Sequence, residues 1–155
     1  MRATWRAREL LEEDLRQSRA VGNELDIAYA LKELAMTATE QGSVSEACDL
    51  TQEGLDISTR VGLSHVTTDL LFGVAVLGSR TGRSRVAAIL FGFGDGANER
   101  EGFEVLPTTT WWWRLHDRLD ADLGTEAFER LRQEGRSLDS EEAVTLARAF
   151  LETAP

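Results

Sequence analysis

A chain of 155 residues, 42% hydrophobic and 28% charged, holds enough apolar matter for one packed core or one short repeat array. Its formal net charge of −10 argues against nucleic-acid or anionic-lipid binding, which needs Lys and Arg to neutralise phosphates. Cys48 is the single cysteine, so a disulfide and a thiolate metal cage are excluded, and it reads as a small buried helix residue.

Met1 leads through Arg2-Ala3-Thr4 into Trp5-Arg6-Ala7-Arg8-Glu9, without the charged, apolar and small-residue blocks of a secretory leader. The longest apolar stretches, Leu70–Leu77 and Val86–Phe93, fall far below the roughly 20 residues of a membrane span. A cytoplasmic, soluble protein is therefore expected. Only two prolines occur, one of them the terminal Pro155, and Ala, Leu, Glu and Arg dominate. That composition predicts helix nearly throughout.

Asn23 can cap a helix whose stripe is Ile27, Leu31, Leu34, Ala35 and Ala38. Gly42 ends it by taking the left-handed conformation. Ser43-Val-Ser-Glu46 reads as a capping box that starts the next helix, which carries Ala47, Leu50, Leu55 and Ile57 and stops at Gly62. A second pair follows: Leu70, Leu71, Val74 and Ala75 before Gly82, then Val86, Ala87, Leu90 and Phe91. Gly92-Phe-Gly-Asp-Gly96 has neither the preceding strand nor the Lys-Ser/Thr ending of a phosphate loop. It reads as a frayed or kinked helix end, or a flexible wall.

These elements repeat. A shift of 40 residues superposes Leu31 on Leu71, Ala35 on Ala75, Gly42 on Gly82, Ala47 on Ala87, Leu50 on Leu90 and Gly54 on Gly94. The same shift joins Ala7 to Ala47, Leu10 to Leu50, Leu15 to Leu55 and Val21 to Val61, and puts Gly22, Gly62 and Gly102 in one column. Small residues at 35, 47, 54, 75, 87 and 94 permit close helix approach. Helical hairpins that cannot bury a face alone stack in this manner.

Leu31, Leu34, Ala35, Ala38, Gly42 and Ala47, repeated as Leu71, Val74, Ala75, Gly78, Gly82, Ala87 and Phe91, resemble the tetratricopeptide repeat. The resemblance covers residues 3–102, with the first hairpin represented by its second helix alone. Thr59 and Glu99 stand where that family usually has its closing proline. It implies an all-α fold: a right-handed helical-hairpin solenoid of about five repeat helices, followed by a three-helix cap over residues 103–155.

After Gly102 the period breaks. Val105-Leu106-Pro107 and Thr108-Thr109-Thr110 read as a loop leading to a helix that begins near Trp111 and keeps Leu115, Leu119 and Leu123 in phase up to Gly124. Thr125–Glu134 is a short helix ended by Gly135. Asp139-Ser-Glu-Glu142 is a capping box opening a last helix to about Glu152, with Ala143, Leu146, Ala147 and Phe150 inward. Leu123-Gly124, Phe128, Glu134-Gly135-Arg136, Leu138 and Glu142-Ala143 resemble the close of the repeat region in large bacterial ATPase-type transcriptional regulators. Without a Gly-x-x-x-x-Gly-Lys loop or a DNA-binding helix pair, only the sensor or interaction part of those proteins carries over.

The tetratricopeptide resemblance implies that the first helix of each hairpin lines a concave groove. The matching positions are Tyr29, Lys32, Met36, Thr39 and Glu40, then Asp69, Phe72, Val76, Ser79 and Arg80. Aromatic, aliphatic and both charge signs suit a peptide, a protein partner or a small effector. A carboxylate clamp is incomplete, since Met36 takes a polar position beside Lys32.

Trp111-Trp112-Trp113 point about 100° apart on a helix, so they cannot all face one core. Two in the core and one on the rim is the plain arrangement; an interface or ligand pocket is the other. His65 and Asp69 stand four apart on one helix face, and His116, Asp117 and Asp120 form a looser set. In an acidic helical chain such pairs are usually solvated.

The expectation is a non-enzymatic regulatory binding module with no cofactor or metal, no nucleic acid bound by this chain alone, no membrane, and room for homo-oligomers. An isomerase- or cyclase-like enzyme with a Trp-lined pocket and a His/Asp pair is the alternative. A self-assembly domain built on the Trp cluster is the third.

Overall fold

A computed structural model describes residues 2–100, 102 and 110–154. All regular structure among them is α-helix: α1 (Arg2–Val21), α2 (Glu24–Gln41), α3 (Val44–Val61), α4 (Ser64–Arg80), α5 (Ser84–Arg100), α6 (Thr110–Leu123), α7 (Thr125–Arg136) and α8 (Ser140–Thr153). The chain is all-α, as expected. Of the loop read at Val105–Thr110, residues 105–109 lie outside the described residues, as does the stretch just after the boundary drawn at Gly102, and Thr110 already belongs to α6. None of the described helices is long and apolar enough to cross a membrane.

The helix ends obey a rule simpler than the 40-residue period. Gly22, Gly42, Gly62, Gly82 and Gly102, spaced by 20, all have φ between 70° and 79°. The N–H after each of the first four returns to the carbonyl five residues back: Asn23 to Ser18, Ser43 to Ala38, Leu63 to Ser58 and Arg83 to Gly78, at 2.8–3.0 Å. This closure satisfies orphan carbonyls at each helix end, and glycine adopts its left-handed residue without a Cβ penalty.

The starts are less uniform. Asn23 caps α2 by accepting the Asp26 N–H, and Asp139 and Glu142 cap α8 reciprocally at 2.9 Å. Ser43 makes no side-chain cap bond, so the capping box read at Ser43–Glu46 does not form. The Glu46 carboxylate instead accepts from both terminal nitrogens of Arg8, a charge-assisted pairing stronger than a backbone cap.

Packing divides the chain into two compact units, Met1–Gly73 with Ala154–Pro155, and Val74–Thr153. In the first, α2 packs on α1 and α3. Its core holds Leu15, Ala28, Leu31, Leu34, Ala47, Leu55, Val66, Leu70 and Leu71. Gly54 of α3 is the close-approach point: a Cβ there would lie 3.1 Å from Leu70 Cδ1 and 3.6 Å from Leu31 Cβ. Ser58 and Thr67, both buried, share a hydroxyl hydrogen bond of 2.9 Å.

In the second unit α6, α7 and α8 each pack against α5. Residues 91–97 of α5 are all buried within one unbroken helix. The glycine-rich stretch is therefore a contact surface and not the frayed end expected. Gly135, read as the stop of its helix, lies buried inside α7, which runs on to Arg136.

Candidate functional site

Three of the ten groove positions meet on the outward face of α2 and α4 in the first unit. Lys32 Nζ lies 3.2 Å from Asp69 Oδ2, 3.0 Å from Glu33 Oε1 and 5.4 Å from the centre of the Tyr29 ring. Partial burial pulls the Lys32 ammonium downward, but its bonds to Glu33 and Asp69 outweigh that and hold it above the ordinary lysine value. Tyr29 Oη and His65 Nε2 are hydrogen-bonded, their rings 5.5 Å apart. The His65–Asp69 pair singled out by spacing is thus divided between two other partners, His65 on Tyr29 and Asp69 on Lys32.

Leu25 and Tyr29 are exposed and Lys32 and Met36 half-buried, so these four form one accessible stripe at helical spacing. Leu25 escaped the sequence reading because it precedes the positions matched to the repeat. Glu40 is exposed, while Thr39 and Phe72 are buried, Thr39 with its hydroxyl on the Ala35 carbonyl at 2.8 Å. In the second unit Val76 is half-buried, Arg80 exposed, and Ser79 buried with its hydroxyl unpartnered.

The tryptophan triplet divides differently from the plain arrangement. Trp112 is buried at 6% exposure, whereas Trp111 and Trp113 stand at 55% and 41%. One tryptophan enters the core and two stay outside, because the buried stripe of α6 is the narrow row Trp112, Leu115 and Leu119. The half-buried His116 ring stacks on Trp112 at 5.5 Å and meets the edges of Phe128 and Phe91 at 5.1 and 6.1 Å. Its Nδ1 is 3.3 Å from Asp117 Oδ1. Among the described residues no group of three His, Cys, Asp or Glu is placed to hold a metal ion.

The densest polar arrangement was not anticipated. Asp95, 5% exposed, receives Nε and Nη2 of Arg132 and Nη1 of Arg136 on one carboxylate oxygen, at 3.0, 2.5 and 2.6 Å. Arg136 also binds Glu99, holding that carboxyl below its ordinary range. Backbone contact surrounds the clamp. A Cβ at Gly92 would overlap the Arg132 carbonyl and stand 2.8 Å from Arg132 Cα; one at Gly135 would overlap the Ile89 carbonyl and stand 2.9 Å from Phe93 N. Spacing carried the signal: the 40-residue shift sets Asp95 in the column of Leu15 and Leu55, and a carboxylate in a core column needs buried cations.

Compared with protein-family models, curated proteins and solved structures, the chain matches none.

Proposed function

We propose that the chain is a non-enzymatic binding module, a right-handed stack of tetratricopeptide-like hairpins closed by its last three helices. It holds a peptide segment of a partner protein on the outward face of α2 and α4. Support comes chiefly from one observation: Tyr29, Lys32 and Asp69, chosen by repeat position alone, meet in a connected cluster on an accessible face, with His65 added.

The chemistry of the cluster narrows the partner. Lys32 is neutralised by Glu33 and Asp69, so a terminal carboxylate gains little there. What remains accessible is an aromatic ring, carboxylate oxygens and the apolar stripe of Leu25 and Met36. These fit a segment carrying basic and apolar side chains, its guanidinium or ammonium meeting the outer oxygens of Glu33 and Asp69, because Lys32 Nζ already stands over the Tyr29 ring and against Asp69. A regulatory setting follows the resemblance of the closing segment to the interaction part of bacterial regulators.

A displayed random-peptide library selected on the wild-type protein tests this. Enriched peptides should carry Arg or Lys beside apolar residues, and their affinity for Tyr29→Ala or Asp69→Lys should fall by at least about tenfold. No enrichment, or peptides that bind both variants as tightly as wild type, would overturn the proposal.

A further inference from the structure

We propose that the outer face of α6 is a self-docking surface, on which a second copy of this chain seats its own α6 antiparallel across a two-fold axis. Trp113 is 41% exposed, and Arg114, Asp117 and Arg118 are exposed around it. The Asp117 side chain retains 79% of its accessible surface. Tryptophan and arginine are the residue types that most often anchor protein interfaces, and a large exposed indole gains most from being covered.

The order of charges selects the occupant. Residues 114 and 117 lie in line on one face, with 113 and 118 flanking them. In an antiparallel pair centred between 114 and 117, each Arg114 faces Asp117 of the second copy, and each Trp113 faces Arg118. The two-fold axis generates every contact twice, as an isologous interface requires. A parallel pair would set Arg114 against Arg114 and Asp117 against Asp117, so the charges fix the orientation. Two chains of net charge −10 repel over most of their surfaces. The row Arg114, Asp117 and Arg118 carries no net acidity, so it is a face on which two such chains can meet. A contact made by one helix face is small, and the dimer should be weak.

Sedimentation velocity over a range of protein concentrations tests the proposal on the full chain. Wild type should shift from monomer to dimer as concentration rises. Arg114→Asp and Asp117→Arg each oppose like charges, and should move that shift to concentrations more than about tenfold higher. The double variant Arg114→Asp/Asp117→Arg exchanges the two charges and should restore the wild-type curve; Trp113→Ala should weaken it. All three substituted positions are exposed, and circular dichroism will establish that each variant remains helical. A wild type that stays monomeric, alone or with another protein cross-linked at position 113, overturns the proposal. So does a dimer indifferent to the single reversals, or one that the double exchange does not rescue.

Discussion

Helices α3 and α5 superpose in sequence under the 40-residue shift, yet they bury themselves by opposite means. In α3 the column residue is Leu55, wholly buried, and Gly54 gives the Leu70 side chain room to approach. In α5 the same column holds Asp95, and Gly92 and Gly96 replace Gln52 and Asp56. There the neighbour is the backbone of α7, and the binding is ionic. One repeat frame can thus serve either a side-chain joint or a backbone joint. The exchange needs a small residue one turn away and a pair of cations on the arriving helix.

The most damaging test of this contrast is to place the α5 residue in α3. Leu55→Asp buries a carboxylate where no arginine pair waits, and should cost at least about 4 kcal/mol or prevent folding, measured by urea denaturation. A folded variant of near-normal stability would show that the two columns are not equivalent. Next in size is Gly135→Ala, which drives a methyl group into the Ile89 carbonyl. A loss of about 3 kcal/mol is expected, with faster hydrogen exchange concentrated in α7. Protection lost evenly across α1–α3 as well would mean that the joint is not local. The mildest is Asp95→Asn, which keeps the shape and removes the charge. Both arginines reach solvent and can hydrate, so about 2 kcal/mol should be lost, and added salt should narrow the gap from wild type.

The same contrast explains what was legible in the sequence. Helix ends could be read because their chemistry is local: a glycine with positive φ and a returning N–H need only six consecutive residues. The column Leu15–Leu55 could be read because side-chain burial follows helical phase. The capping box at Ser43 failed because Arg8, 38 residues away, outbid a local partner for Glu46. Gly92 and Gly135 were misread for a related reason. A glycine that ends a helix and one that admits a second backbone look alike until the second helix is in place. Among the groove positions, Lys32 and Asp69 were placed on one face by repeat position, but their pairing, like the burial of Thr39, Phe72 and Ser79, depends on neighbours that no spacing rule supplies.

The backbone joint also provides a means of detection. Side-chain cores drift freely in sequence, because many apolar combinations fill the same volume. A crossing in which carbonyl oxygens occupy the space of a Cβ admits no substitute for glycine, and its ionic clasp admits few for Asp or Arg. Gly-x-x-Asp at 92–95, followed by Arg-x-x-Gly-Arg at 132–136, is therefore a two-part signature whose halves start 40 residues apart. Chains too far diverged to align along their whole length would still carry both halves at this separation, and would lose them together.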